Sequence, residues 1–268
     1  MVRAVPGQKL FLLHSEGVVV RARYNAGPTR PDSNLFPLRA KEKGLNRVAW
    51  DLRYTGPEQR RPPSEEETAF GPGPRGPQVT PGTYTVRLTV GDKTYEQPVE
   101  VRLDPRVNVP ADDLRAQLEL LTRIRDMQNA ANTALRYLDS IKEQLKHTET
   151  TVKGLNKEPD KDLLKALTDY QKKVDDVAGR IARSPEPSLG LPGSSRITER
   201  LGGLFGAIDG FNGAPTSAQR DYFKELEPEF GERMTELNKF ISDTIPQWND
   251  KLRSWNAPTL TTRKPVEF

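Results

Sequence analysis

His14 and His147 are the only imidazoles in the chain, and cysteine is absent. A metal centre or a nucleophile–base pair needs such groups converging on one point. Two histidines far apart in sequence predict no convergence, and His147 reads as a cation near a helix C-terminus. Without cysteine there is no thiol nucleophile, disulfide or thiolate metal site. Carboxylates stand side by side at Asp112-Asp113, Asp175-Asp176 and Glu65-Glu66-Glu67. Neighbours on a helix point about 100° apart, so they do not face each other as an acid and a base must. They read as solvated surface. The stretch from Gly71 to Gly76, GPGPRG, matches the dinucleotide fingerprint letter for letter. That fingerprint works only between a strand and a helix, and prolines flank it here. Trp50, Trp248 and Trp255 have the rings that stack on sugars. Trp50 alternates with an apolar face and Trp248 continues a helical stripe, which leaves Trp255 as the ring expected nearest to solvent. Gly202, Gly206 and Gly210 lie four apart and predict a close helix–helix approach. The expectation is therefore no catalytic, cofactor-binding or metal residue at any position, and no cofactor.

The totals narrow the partners. Across 268 residues, 41 basic and 37 acidic side chains leave a net charge of +4, with the two signs interleaved throughout. A nucleic-acid binder gathers its cations on one face beside aromatics, so nucleic acid is not an expected partner. No stretch approaches the length of a membrane span. The opening MVRAVPGQKLFLLHSEG holds only residues 10–13 as an unbroken apolar run, too short for a signal peptide. An export signal, if there is one, is expected upstream of this chain. The apolar share is 34%, which suits long exposed loops and long helices with one narrow apolar stripe.

The first hundred residues alternate as strands do. In residues 82–90, GTYTVRLTV, Tyr84, Val86, Leu88 and Val90 share one face. Gly91-Asp92 turns the chain, and residues 93–103 return with Tyr95, Val99, Val101 and Leu103. Pro98 cannot donate to a ladder, which marks this strand as an edge or as locally irregular. Residues 9–13 and 18–24 read as a second strand pair, and 45–52, LNRVAWDL, as a further strand with Trp50 filling the core. Short antiparallel strands over this length predict a β-sandwich spanning residues 1–104. Two loops interrupt it, 25–44 and 55–81. The Pro/Gly-rich GPGPRGPQVTPG of the second is expected to pack poorly.

From residue 105 the period changes. Pro110 opens a helix over 111–147, with Asp112 and Asp113 in its first turn and Lys146-His147 in its last. Its apolar residues recur every three or four positions from Leu114 to Leu145, giving one stripe over roughly 55 Å. Further helices are predicted over 160–183, 197–209 and 217–254, with Pro228 and Pro246 placed to break or kink the last. Together they predict an antiparallel helical bundle over 105–257, followed by a tail at 258–268.

Several segments resemble known families. GLNRVAWDLRYTGP (residues 44–57) followed by PGTYTVRLTV (81–90) is similar to the immunoglobulin-like module of flagellar hook-capping proteins. With VRLDPR (101–106), DLRAQ (113–117), APTSAQ (214–219) and IPQWNDKL (245–252), the chain resembles the C-terminal region of bacterial Asp-box (BNR-repeat), sortilin-like glycosyl hydrolase family proteins. The fold class so implied is α+β multidomain, an immunoglobulin-like β-sandwich followed by a bundle of long α-helices. In that family the ligand-handling part is an upstream β-propeller whose repeats are not found here. The resemblance implies an exported, periplasmic or extracellular parent and transfers no catalytic residue. The expected function is a non-catalytic accessory or scaffolding region partnering an upstream β-propeller, in cis or as a separate chain. The alternative is a stand-alone glycan- or protein-binding module using loops 25–44 and 55–81. A self-sufficient hydrolase ranks last, for want of a nucleophile–base pair.

Overall fold

The computed structural model describes residues 2–4, 19–24, 33–37, 50–62, 74–90, 93–155, 160–182 and 196–267. The chain divides into two units. The first comprises residues 1–57, 71–123 and 207–215; the second comprises 58–70, 124–206 and 216–268.

In the first unit the strands are β1 (Val2–Ala4), β2 (Val19–Tyr24), β3 (Ser33–Pro37), β4 (Gly82–Val90) and β5 (Lys93–Leu103). They form one antiparallel sheet in the order β1-β5-β4-β2-β3. β4 and β5 pair along their whole length from Gly82↔Val101 to Val90↔Lys93, and Arg87 faces Glu96 across the hairpin in an ion pair. Pro98 pairs with Thr85 on one side only. β1 reaches just Val101, Arg102 and Leu103, so on that side no described strand pairs with Pro98.

The immunoglobulin-like sandwich is corrected by this sheet. A sandwich needs a second sheet to face the first, and every described strand lies in one. Two local facts account for the difference. β2 pairs with β3, which lies inside the expected loop 25–44, rather than with residues 9–13, which fall outside the described residues. The strand expected over 45–52 is not extended where it is described. The Asp51 carboxylate accepts from the Arg53 N–H (3.1 Å), a short-range turn. Leu52 stands in the left-handed region at φ 59°, which ends the pleat.

One core cluster of this unit is Val79, Tyr84 and Val101, with Trp50, Leu52 and Tyr54 packed against it. Trp50 meets Tyr84 edge-on at 5.3 Å and donates from its indole to the Arg53 carbonyl (3.1 Å). It is half-buried, a flank of the cluster rather than its centre. The described ends of loop 55–81 pack closely, against expectation. Tyr54 N–H donates to the Pro77 carbonyl and Val79 N–H to the Leu52 carbonyl, both at 2.9 Å. At this crossing a Cβ on Gly76 would collide with the Tyr54 carbonyl, and one on Gly56 with that of Pro74. Only glycine lets the two backbones come so near.

The second unit is built from helices, and most of α1 (Ala111–Leu155) belongs to it. α1 runs beyond the expected end at His147, which is exposed and well inside the helix. Thr148 and Thr150 hydroxyls donate back to the Gln144 and Lys146 carbonyls (3.0 Å each), and Lys153 pairs with Glu149. The Glu149–Lys153 pair, four residues apart, helps to carry this stretch of weak helix formers. α2 (Lys161–Ile181) starts at Asp160, whose carboxylate accepts from the N–H groups of Asp162 and Leu163, and buries Leu163, Leu167, Tyr170, Val174, Ala178 and Ile181. α3 (Ile197–Asp209) has the expected bounds. α4 (Ser217–Lys239) opens with a capping box in which Thr216 and Gln219 satisfy each other's backbone.

Pro246 does not break the last helix. A π-helical turn (Phe240–Thr244) widens the chain ahead of α5 (Ile245–Ser254), and Ile245 N–H donates to Phe240 rather than to Ile241. One extra residue in the turn accommodates the ring that would clash with the carbonyl four residues back.

The helices run antiparallel where their side chains meet. Lys142 pairs with Asp175 while Gln171 donates to Glu149, so α1 rises as α2 falls. Arg180 pairs with Glu236 while Tyr170 stacks on Trp248 (centroids 4.1 Å, 11° between planes), so α2 and α4–α5 do the same.

Candidate functional site

The sequence-predicted candidates do not converge among the described residues. His147 and Asp176 are exposed, and Asp112 is paired with Arg115, Asp175 with Lys142. His14 and Glu65-Glu66-Glu67 lie outside the described residues. Trp248 is 4% exposed, sandwiched by Tyr170 and the edge of Phe240; Trp255 is half-buried. The glycine face of α3 is not a tight packing seam. A Cβ on Gly206 would meet nothing within 4 Å, and one on Gly202 would touch only the Gln128 side-chain amide at 3.5 Å. Among the described residues no group of three His, Asp or Glu is placed to hold a metal ion, and no helix is long and apolar enough to cross a membrane.

One open cavity of about 240 Å³ lies in the second unit, beside the π-helical turn. Val177, Leu237 and Phe240 supply its apolar lining, and Arg180, Arg233 and Glu236 part of its polar lining. Both arginines donate to Glu236 (3.3–3.4 Å), so its carboxylate is engaged as an acceptor. Such a groove can take an amphiphilic side chain or a small molecule. It brings no imidazole or thiol to a substrate.

A different arrangement recurs across the second unit: side-chain amides and guanidinium groups that grip extended backbone. Asn129 accepts from the Glu58 N–H and Asn132 donates to the Glu58 carbonyl, both at 2.6 Å. One and two turns further along α1, Arg136 donates to the Gln59 carbonyl (3.0 Å) and Asp139 holds the Arg60 guanidinium by two bonds at 2.5 and 2.7 Å. Residues three to four apart on one helix thus read a chain laid along it.

The last residues, expected as a tail over 258–268, are gripped in the same way. The Asn249 amide donates to the Leu260 carbonyl (2.9 Å) and accepts from the Leu260 N–H (2.7 Å). Asn238 makes the same pair with Val266 at 2.9 and 2.8 Å. Between them, Gln144 accepts from the Thr261 N–H (2.8 Å), while the Tyr137 hydroxyl donates to the Thr261 carbonyl (2.8 Å). Burial pushes the Tyr137 phenol up, opposed by a hydrogen bond from the Arg263 backbone and by the cationic Arg263 side chain. Leu260 is 3% exposed. An amide side chain offers the donor–acceptor pair of a peptide group, so each asparagine imitates one rung of a β-ladder.

In the first unit, Arg53 donates to Asp209 (2.8 and 3.0 Å) and to the Gly76 carbonyl (2.7 Å), with both charged side chains largely buried. Gln117 donates to the Ile208 and Phe211 carbonyls. Here too polar side chains are spent on holding chain segments.

Comparison with known proteins adds no identity: no family model, curated protein or solved structure matches the chain.

Proposed function

We propose that this chain is a non-catalytic accessory and scaffolding module of an exported protein whose ligand-handling part is a β-propeller of the Asp-box type. One observation carries the scaffolding reading: the segments behind the family resemblance serve as structural joints. Trp50, Leu52 and Tyr54 of GLNRVAWDLRYTGP pack on the core that Tyr84 of PGTYTVRLTV helps to build. Asp104 of VRLDPR is 2% exposed and accepts from the Arg106 N–H and guanidinium. Gln117 of DLRAQ ties down the end of α3, and APTSAQ supplies the α4 capping box. IPQWNDKL contributes Trp248 and the Asn249 clasp. Residues chosen for such tasks support a rigid platform rather than a reaction centre.

The test is direct. The purified chain, offered a broad panel of glycosides and peptides, is expected to hydrolyse none; a useful turnover sinks the proposal. The reading frame upstream of Met1 tests the parent: Asp-box repeats there support the propeller partner, and a different upstream domain removes it. The alternative, a stand-alone glycan- or protein-binding module, draws support from the cavity beside the π-helical turn. Ligand-dependent protection of Arg233 and Lys239 amides in hydrogen exchange would favour it.

A further inference from the structure

The two asparagine clasps leave a question that neither scaffolding nor glycan binding answers. Asn249 is a polar side chain only 4% exposed, and its amide meets the backbone of Leu260 with both its donor and its acceptor. A buried amide without partners is strongly unfavourable, so this slot demands an occupant. The occupant is held mainly through its backbone. Leu260 is its one fully buried side chain, the clasps fall at Leu260-Thr261 and Val266, and residues 262–265 between them are exposed.

The connection to α5 has the form of a hinge. The helix closes with Ala257 N–H donating to Leu252 and Asn256 N–H to Arg253, and Asn256 sits in the left-handed region at φ 54°. Pro258 then prevents any continuation of the helix. A change of backbone at residues 256–259 redirects everything beyond it without disturbing α5.

We infer that residues 259–267 form an exchangeable arm, and that the slot made by Tyr137, Gln144, Asn238 and Asn249 accepts the same arm of a second copy. The slot reads backbone groups at Leu260, Thr261 and Val266 and one leucine side chain. The six-residue step between its two asparagine clasps matches this arm. A second copy carries that pattern in full. Reciprocal exchange preserves every clasp, so dimer and monomer differ mainly in the hinge and in concentration.

The test uses two full-length variants. Leu260→Asp disables the arm and leaves the slot able to accept one. Asn249→Leu disables the slot and leaves a competent arm. Each alone is expected to sediment as a monomer with an undiminished helical circular-dichroism signal, and the mixture is expected to give a one-to-one complex by native mass spectrometry. A mixture of two folded variants that stays monomeric overturns the inference. A second measurement on the unaltered protein covers loss of folding in either variant. The amides of Leu260, Thr261 and Val266 are expected to exchange at least about a hundredfold faster than those of Leu138 and Leu237, through local opening of the arm. If they exchange only as fast as the helix-core amides, the arm is part of the cooperative fold and no exchange occurs.

Discussion

Replacing Tyr170 by phenylalanine should make the protein more stable. The Tyr170 ring lies flat on Trp248, and its hydroxyl oxygen is buried with no hydrogen-bond partner among the described residues. Burying such a hydroxyl unpaired costs about 1–3 kcal/mol. Phenylalanine keeps the stacked ring and its apolar burial. The missing oxygen leaves a hole of roughly 10 Å³, which at about 24 cal/mol per Å³ takes back only ~0.2 kcal/mol. The net expectation for Tyr170→Phe is a gain of about 1 kcal/mol, a factor of roughly five in the folded-to-unfolded ratio. Urea melts followed by tryptophan fluorescence read it, because Trp248 is the stacking partner. With a slope of about 2–3 kcal/mol/M the midpoint should rise by ~0.4 M at unchanged slope. Alkaline solution gives an independent check. Burial pushes the Tyr170 phenol above its ordinary value. The unfolded chain therefore loses this proton first, and stability falls as pH rises from about 10 through the folded value. Tyr170→Phe should remove that part of the alkaline decline. A midpoint that drops on substitution would refute the reasoning, since it would mean the hydroxyl has a partner worth keeping.

Other expectations separate the structural claims. Gly76→Ala should cost several kcal/mol or prevent folding, because the crossing backbone cannot move aside, whereas Gly203→Ala on open helix surface should stabilise by up to about 1 kcal/mol; paired thermal melts distinguish the two sites. Trp50→Ala should cost about 2 kcal/mol, roughly half the full-core value, as suits a half-buried ring; an unchanged melt would remove Trp50 from the cluster around Tyr84. Bonds from Lys153 and Gln171 hold the Glu149 carboxyl below its usual value. Its contribution is present above the ordinary carboxylate pKa near 4.3 and lost as pH falls through the lower folded value. Glu149→Gln should flatten that acid limb by less than about 1 kcal/mol, the ion pair being at the surface; melts at pH 7, 4 and 3 would show it.

Periodicity made the helices legible. The apolar steps of α2 and α3 are local signals that survive folding unchanged. The sheet was legible strand by strand for β4 and β5, yet strand pairing is non-local. Nothing in residues 18–24 announces that their partner is 33–37. At Asp51 and Leu52 the alternation was genuine, but the aspartate's capacity to bond its own backbone outweighed it. Pro246 was read as a break or a kink, and the π-helical turn that accommodates it is not written in the sequence. The clasps were hidden by polarity. The residues around Leu260 look like solvated tail, and Asn238 and Asn249 look like surface, until their amides are seen meeting backbone. The available hint was Asn256-Ala257-Pro258, a helix-closing signal followed by renewed aliphatic residues.

The crossing at Gly56 and Gly76 also bears on how this protein can be enlarged. Two backbone bonds, Tyr54 to Pro77 and Val79 to Leu52, fix where the intervening segment leaves and re-enters the first unit. The separation of its ends is therefore set by the crossing and not by the segment's length. Positions 56 and 76 therefore have to stay glycine in any enlarged version of this protein, because a side chain at either would part the two backbones that meet there.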